Sequence, residues 1–198
     1  MLKNLGDTEL EMATKLIFDG LSMAKSSMEQ ILQSPISLKK IDYGEEKQLP
    51  SVGNETSDPL HVIKTNLIGE LRGTSHLIFS EQDVNNICAA CLSKDILEND
   101  SPENKVMKVG FLTEIDNMVA GAVITEFANK LNLDIYGHVP SLHMVKPSEI
   151  EEYFLNESND YDSIIHFKAI FHGTELDISP DFVWIFPSEL VEKIKQQL

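Results

Sequence analysis

Residues 105–131, KVMKVGFLTEIDNMVAGAVITEFANKL, place Met107, Phe111, Ile115, Met118, Val119, Ile124, Phe127 and Leu131 at helical spacing, which predicts one long amphipathic helix. Glu114 and Asn117 are three residues apart on it and therefore share a face, one turn above the other. Gly110 and Gly121 extend that stripe in both directions, although a glycine inside a helix costs about 1 kcal/mol against alanine. Two readings fit. Either the glycines let another protein come close while Glu114 and Asn117 reach forward, or the stripe is simply the wet side of the helix and Gly121 serves a tight helix-to-helix contact.

Working outward, the same order of elements occurs in both directions from this helix. Asp7 to Gln33 carries Leu10, Ala13, Ile17, Leu21, Ala24, Met28, Ile31 and Leu32 at helical spacing, ended by Pro35. Ile36 to Tyr43 alternates as a strand does, and Gly44 to Pro59, acidic and dotted with Gly, Pro, Ser and Asn, predicts an exposed loop. His61 to Leu71 and Thr74 to Phe79 predict a hairpin turning at Arg72-Gly73, and Ser80 predicts the cap of a helix over 81–92. Glu98 to Asn104 is a polar break.

After the central helix, Leu133 to Val145 is extended and broken by Gly137 and Pro140. A Ser148/Glu151 capping box starts a short helix, and Ser158 to Asp162 is a second acidic loop. Ile164 to Phe171 and Phe182 to Phe186 predict strands around Gly173-Thr174, and Pro187-Ser188-Glu189-Leu190 opens the last helix. Gly73-Thr74 answers Gly173-Thr174, and Ile78-Phe79-Ser80-Glu81 answers Ile185-Phe186-Pro187-Ser188-Glu189. The expected architecture is α/β (α+β): one domain over 1–198, made of two pseudo-symmetric halves, about 1–97 and about 103–198, sharing one β-sheet flanked by helices.

Composition narrows the function classes. The 198 residues carry 16 Lys+Arg against 32 Asp+Glu, a net charge of −16, so the surface repels phosphate backbones and anionic membranes, and nucleic acid is a poor partner. No apolar run approaches the ~20 residues that span a bilayer. Residues 1–7 lack a charged leader followed by an apolar region, and the expected location is the cytoplasm. There the sequons Asn54-Glu55-Thr56 and Asn156-Glu157-Ser158 carry no meaning. Cys88 and Cys91 are the only cysteines and fall within one helix, with Ala89 and Ala90 between them. They read as small packing residues rather than a disulfide framework, a redox pair or half a zinc site. His61, His76, His138, His143, His166 and His172 show no metal-ligand spacing.

The run Thr113-Glu114-Ile115-Asp116-Asn117-Met118-Val119-Ala120-Gly121, with Pro140 beyond twenty-two intervening positions from Asn117, resembles the signature of the CheC/CheX/FliY chemotaxis phosphatases. That signature is Asp or Ser, three residues, Glu, two residues, Asn, a gap of twenty-two positions and Pro. Gly110 stands where it has Asp or Ser. The family repeats its motif in each half. At an offset of 103, Asp7 answers Gly110, Glu11 answers Glu114, Thr14 answers Asn117 and Phe18 answers Gly121, and the gap from Thr14 to Pro35 is twenty positions. The first half-site therefore reads as silent and the second as active.

The resemblance implies hydrolysis of the aspartyl phosphate of a CheY-like receiver. Glu114 and Asn117 would act in it, with Gly110, Gly121 and Pro140 framing the partner's approach. Asn117 would orient the attacking water through its carboxamide, a role for which the short hydroxyl of Thr14 lacks the reach. Glu114 would pair with a cation of the receiver and set the helix in register. No metal ligand is implied on this chain, because the family uses the receiver's own Mg²⁺. The resemblance equally allows a non-catalytic module that binds a receiver, a CheD-like deamidase or a flagellar switch component, as monomer or homodimer.

Overall fold

The computed structural model describes residues 7–45, 52, 57–99, 101–159, 161 and 163–197. The two long apolar repeats form α1 (Asp7–Leu32) and α4 (Pro102–Leu131). Each is followed by a residue in the left-handed region, Gln33 and Asn132, both with φ 49°, the usual way a helix end turns its last carbonyls inward. Between them lie β1 (Ser37–Glu45), β2 (Leu60–Gly69), β3 (Gly73–Phe79), α2 (Glu81–Cys91) and the short α3 (Lys94–Glu98). After α4 come β4 (Ile135–Gly137), β5 (Ser141–Val145), α5 (Ile150–Glu157), β6 (Ile164–His172), β7 (Asp181–Pro187) and α6 (Glu189–Lys195).

One seven-stranded antiparallel sheet runs β1-β6-β7-β3-β2-β4, with β5 also paired to β2. Exchanging β2 and β3 for β6 and β7, and β1 for β4 with β5, leaves that order unchanged when it is read from the other edge. The central β3–β7 register, Thr74↔Ile185 to Ile78↔Asp181, is centred on His76↔Val183. The sequence offset between those two partners is the one at which Ile78-Phe79 answers Ile185-Phe186.

Alternation along the strands sends one set of side chains under α1, α4, α2 and α6 and the other under α5. The first core holds Ile63, Leu67, Leu77, Phe79, Phe167, Phe171, Phe182, Trp184 and Phe186. Phe127 of α4 stacks over Phe186 at 5.6 Å, and Trp184 over Phe186 at 5.2 Å. The second core places Ile150 and Phe154 of α5 over Val62, Ile78, Val183 and Ile185. This second face also carries ion pairs of Lys168 with Asp181, at 2.7 Å, and of Lys64 with Glu157.

The predicted hairpin forms, with Gly73 already paired to Leu67 as the first residue of β3, so that the turn lies just ahead of it over 70–72. Ser80 caps α2 in a full capping box, its hydroxyl accepting from Asp83 N–H while the Asp83 carboxylate accepts from Ser80 N–H. Cys88 is buried and Cys91 half-buried on α2, where burial pushes both thiols up, so neither is primed as a thiolate nucleophile.

Four expectations are corrected. The polar break 98–104 is partly helical: α4 starts at Pro102, because Ser101 caps it by accepting from Asn104 N–H. The Ser148/Glu151 box does not form, since Pro147–Glu149 makes a 3₁₀ turn that places Glu149, without a side-chain bond, at the cap of α5. The predicted loop Gly44 to Pro59 loses Gly44 and Glu45 to β1, and Val52 is buried against the second core. Residues 46–51 and 53–56 of that prediction lie outside the described residues. Ser158 is buried, its hydroxyl donating to Leu155 O, rather than opening an exposed loop, and residues 160 and 162 lie outside the description.

Candidate functional site

Packing fixes which way α4 faces. Leu112, Ile115, Val119, Ala120, Val123 and Phe127 are buried, which turns Glu114 and Asn117 outward on the opposite side. Across from them runs the segment from β4 into β5. A groove between the two is lined by Thr113, Glu114, Asn117, Gly137, His138, Val139 and Pro140. Pro140 thus lies opposite the Glu114–Asn117 pair. Asn117 also lines the adjoining depression with Thr65, Gly121, Ile124, Thr125, Ile135 and Tyr136. Among the described residues, neither the Glu114 nor the Asn117 side chain makes a hydrogen bond or ion pair within this chain, so both are available to a partner.

The two glycines of the stripe are free of internal duty. A Cβ at Gly110 or at Gly121 would meet nothing within 4 Å, and neither has a positive φ. The tight contact between the long helices is made elsewhere: a Cβ at Gly20 would lie 3.2 Å from both Val123 and Phe127. Helix-to-helix packing therefore does not explain Gly121.

Gly137 has a different reason. Its missing Cβ would lie 3.1 Å from Ile124 and from the Thr65 methyl, so glycine lets β4 close down on the groove floor. The surroundings are apolar. Seven of the nine large exposed apolar side chains described lie on the two walls or their extensions: Val106, Met107, Val109 and Met118 on α4, and Tyr136, Val139 and Met144 beyond it.

On α1, Asp7, Glu11, Thr14 and Phe18 line a shallow patch with Leu10 and Lys15. The Thr14 hydroxyl donates back to Leu10 O at 2.8 Å, which spends its only proton on the helix itself. Phe18 stands 55 % exposed where Gly121 is open on α4. Pro35 is not part of this patch. The structure thus brings Glu114, Asn117 and Pro140 together around one groove, puts Gly121 in the depression that adjoins it at Asn117, and leaves Gly110 one turn beyond.

Sequence reasoning missed Asp116, Thr65 and Gly137. Asp116 is fully buried beneath the groove and accepts a 2.6 Å hydrogen bond from the Thr65 hydroxyl. Burial pushes its carboxyl up to about 7, the Thr65 bond pulling the other way. A signal for it exists in the sequence: Asp116 is in phase with Leu112, Val119 and Ala120, a carboxyl on the apolar stripe.

No protein-family model and no curated protein matches the sequence. Solved structures do. FliY of Thermotoga maritima superposes with a TM-score of 0.69 at 17% identity, over 98% of this chain and 97% of that one. A chain of the CheX-CheY-BeF3-Mg complex from Borrelia burgdorferi matches with a TM-score of 0.57 at 18% identity, over 86% of this chain and 96% of that one. A chain of the FliM-SpeE complex from H. pylori matches at 0.59 and 10% identity, over 98% of each. The protein has the CheC/CheX/FliY-like fold. No helix among the described residues is long and apolar enough to cross a membrane.

Proposed function

We propose that this protein is a cytoplasmic phosphatase that hydrolyses the aspartyl phosphate of a CheY-like receiver and so ends a chemotaxis or related two-component signal. The observation that carries the reading is the Glu114–Asn117 pair, one turn apart and unengaged, facing Pro140 across an open groove. It sits on a fold shared with a chain of a CheX-CheY complex.

The chemistry asks little of this chain. Hydrolysis needs a water in line with the departing carboxylate, while the receiver's own Mg²⁺ and lysine neutralise the phosphoryl oxygens. The Asn117 carboxamide would accept from that water through its oxygen, its N–H₂ fixed by the partner, so that the water is held at the angle of attack. Glu114 would pair with a cation of the receiver, docking the helix rather than acting as a base. The chain then works as two repeated halves, with the α1 patch of Asp7, Glu11 and Thr14 silent.

One specific observation favours a second reading. Gly110 offers no side chain where the signature carries Asp or Ser, which suits a module that binds a receiver, or a CheD-like or flagellar switch protein, without turnover. The dephosphorylation rate of each CheY-like receiver from the same organism, with and without this protein, separates the two. Acceleration establishes the phosphatase, and binding without acceleration establishes the module.

The open glycine makes a further expectation. Gly121→Ala should stabilise the protein by about 0.5–1 kcal/mol, the ordinary gain of alanine over glycine inside a helix. It should also weaken receiver binding, because the new methyl enters the approach surface. Thermal melts and a binding titration on one preparation check both signs. Stabilisation with unchanged affinity would remove Gly121 from the docking face.

A further inference from the structure

Building on the phosphatase reading, we propose that Asp116, held by Thr65, is a positioning residue for Asn117: the buried pair locks the rotation of α4 at the turn that carries the amide.

Asp116 points to the sheet while its neighbour Asn117 points to the groove. The Thr65 hydroxyl donates to Asp116 Oδ2 at 2.6 Å, and Oδ1 has no hydrogen-bond partner. Apolar contacts such as those of Ile115 and Val119 are non-directional and tolerate a few degrees of roll. A short hydrogen bond to a strand does not. It acts midway between Gly110 and Gly121, in the stretch of α4 that carries Glu114 and Asn117. Thr65 also touches the opposite wall, its methyl lying where a Gly137 Cβ would be 3.1 Å away. One pair therefore sets both sides of the groove.

The other half shows that the fold does not need this pair. Thr65 pairs with Ser75, and the β3–β7 offset of 107 carries Ser75 to Phe182, whose partner is Ala169. Asp116 answers Ala13 at the helix offset of 103. Ala13 and Ala169 are both buried in the same core. Two alanines thus fill the positions where the helix bears Thr14, and the polar pair occurs where it bears Asn117.

The pair also responds to pH. On the elements packed against Asp116, β2 presents Ile63 and Leu67, β4 presents Ile135 and Gly137, β5 presents Leu142, and the buried face of α1 is entirely apolar or glycine. No charged side chain among the described residues acts on the carboxyl, whose titration is set by burial and by Thr65 alone. Ionisation strengthens the Thr65 donation, but it also leaves charge on an oxygen that has no donor in an apolar surround, and this larger cost strains α4 against β2. The neutral acid is the form that suits the site, so the lock weakens as pH rises through about 7.

The test needs two readouts. By NMR, the Asn117 side-chain amide should titrate with a midpoint near 7 in the wild type and not in Asp116→Asn. With a CheY-like receiver phosphorylated by a small-molecule donor, the Thr65→Ala/Asp116→Ala double variant, which copies the packing of the other half, should fold normally. It should lose about tenfold in kcat with KM within about twofold. Asp116→Asn should retain most of the rate and remove the excess fall at high pH. Wild-type kcat in the double variant, or Asn117 resonances indifferent to pH, overturns the proposal. No turnover by the wild type, with the Asn117 titration present, sinks the phosphatase reading and leaves the positioning role standing.

Discussion

Asn117→Ala should slow dephosphorylation of a CheY-like receiver about 10²-fold, while the Kd for the activated receiver stays within about threefold. A factor of that size is about 2.7 kcal/mol of transition-state stabilisation, what a group that fixes one reacting water contributes. Binding should survive because the surface is broad. Met118 and Val139 flank the amide, Glu114 supplies the charged contact, and Gly121 keeps its clearance. Asn117→Asp should be no better than alanine, since it brings negative charge to a phosphoryl group and removes the N–H₂ donors. Thr14→Ala should leave the rate unchanged, because that hydroxyl is turned back onto Leu10 O. Stopped assays with a phosphorylated receiver give the rate, and titration of a beryllofluoride-activated receiver gives the Kd. Equal losses in rate and affinity would reduce Asn117 to a docking residue.

What the sequence discloses about this molecule follows the physics of each signal. Both long helices are readable because their apolar spacing runs over seven turns or more, and β2, β3, β6 and β7 because alternation is bounded by Gly73 and Gly173. The start of α4 escapes such reading because Ser101 and Pro102 pass for loop residues until the Ser101 cap is seen. The Ser148/Glu151 box fails because Pro147 opens a 3₁₀ turn, which shifts the cap by one residue. The groove is half legible. Glu114, Asn117 and Gly121 share a helical face and so declare themselves, but Thr65 and Gly137 enter from strands distant in sequence, and only the β2–β4 pairing Leu67↔Gly137 brings them under α4. Palindromic strand order adds what no single stretch contains: it pairs Asp116 and Thr65 with Ala13 and Ala169.

Trp184→Ala should destabilise the fold by about 3–5 kcal/mol, the range for emptying a buried aromatic site. That is a large part of the ~5–15 kcal/mol that holds a domain together. Trp184 is 1% exposed and lies against four phenylalanines: Phe127 at 6.4 Å, Phe167 at 6.2 Å, Phe182 at 6.0 Å and Phe186 at 5.2 Å. A cavity there cannot be filled from one side, because the ring is shared by α4, β6 and β7. Trp184→Phe should cost less than about 1.5 kcal/mol. It keeps a stacked ring and removes an indole N–H that is buried without a hydrogen-bond partner, an omission that itself costs about 1–3 kcal/mol. The consequence reaches the groove. Phe127 is ten residues from Asn117 on the same helix, about 15 Å along its axis, and the aromatic layer is what seats that end of α4 on the sheet. Trp184→Ala should therefore speed amide hydrogen exchange along α4 more than along α1, whose buried side chains, Leu21, Ala24 and Met28 among them, include no aromatic ring. Urea denaturation followed by circular dichroism measures the first effect, since the variant lacks the only tryptophan, and exchange mass spectrometry measures the second. A loss below about 1.5 kcal/mol, or equal exchange in both helices, would show that α4 is held by its aliphatic stripe, with the aromatic layer a passenger.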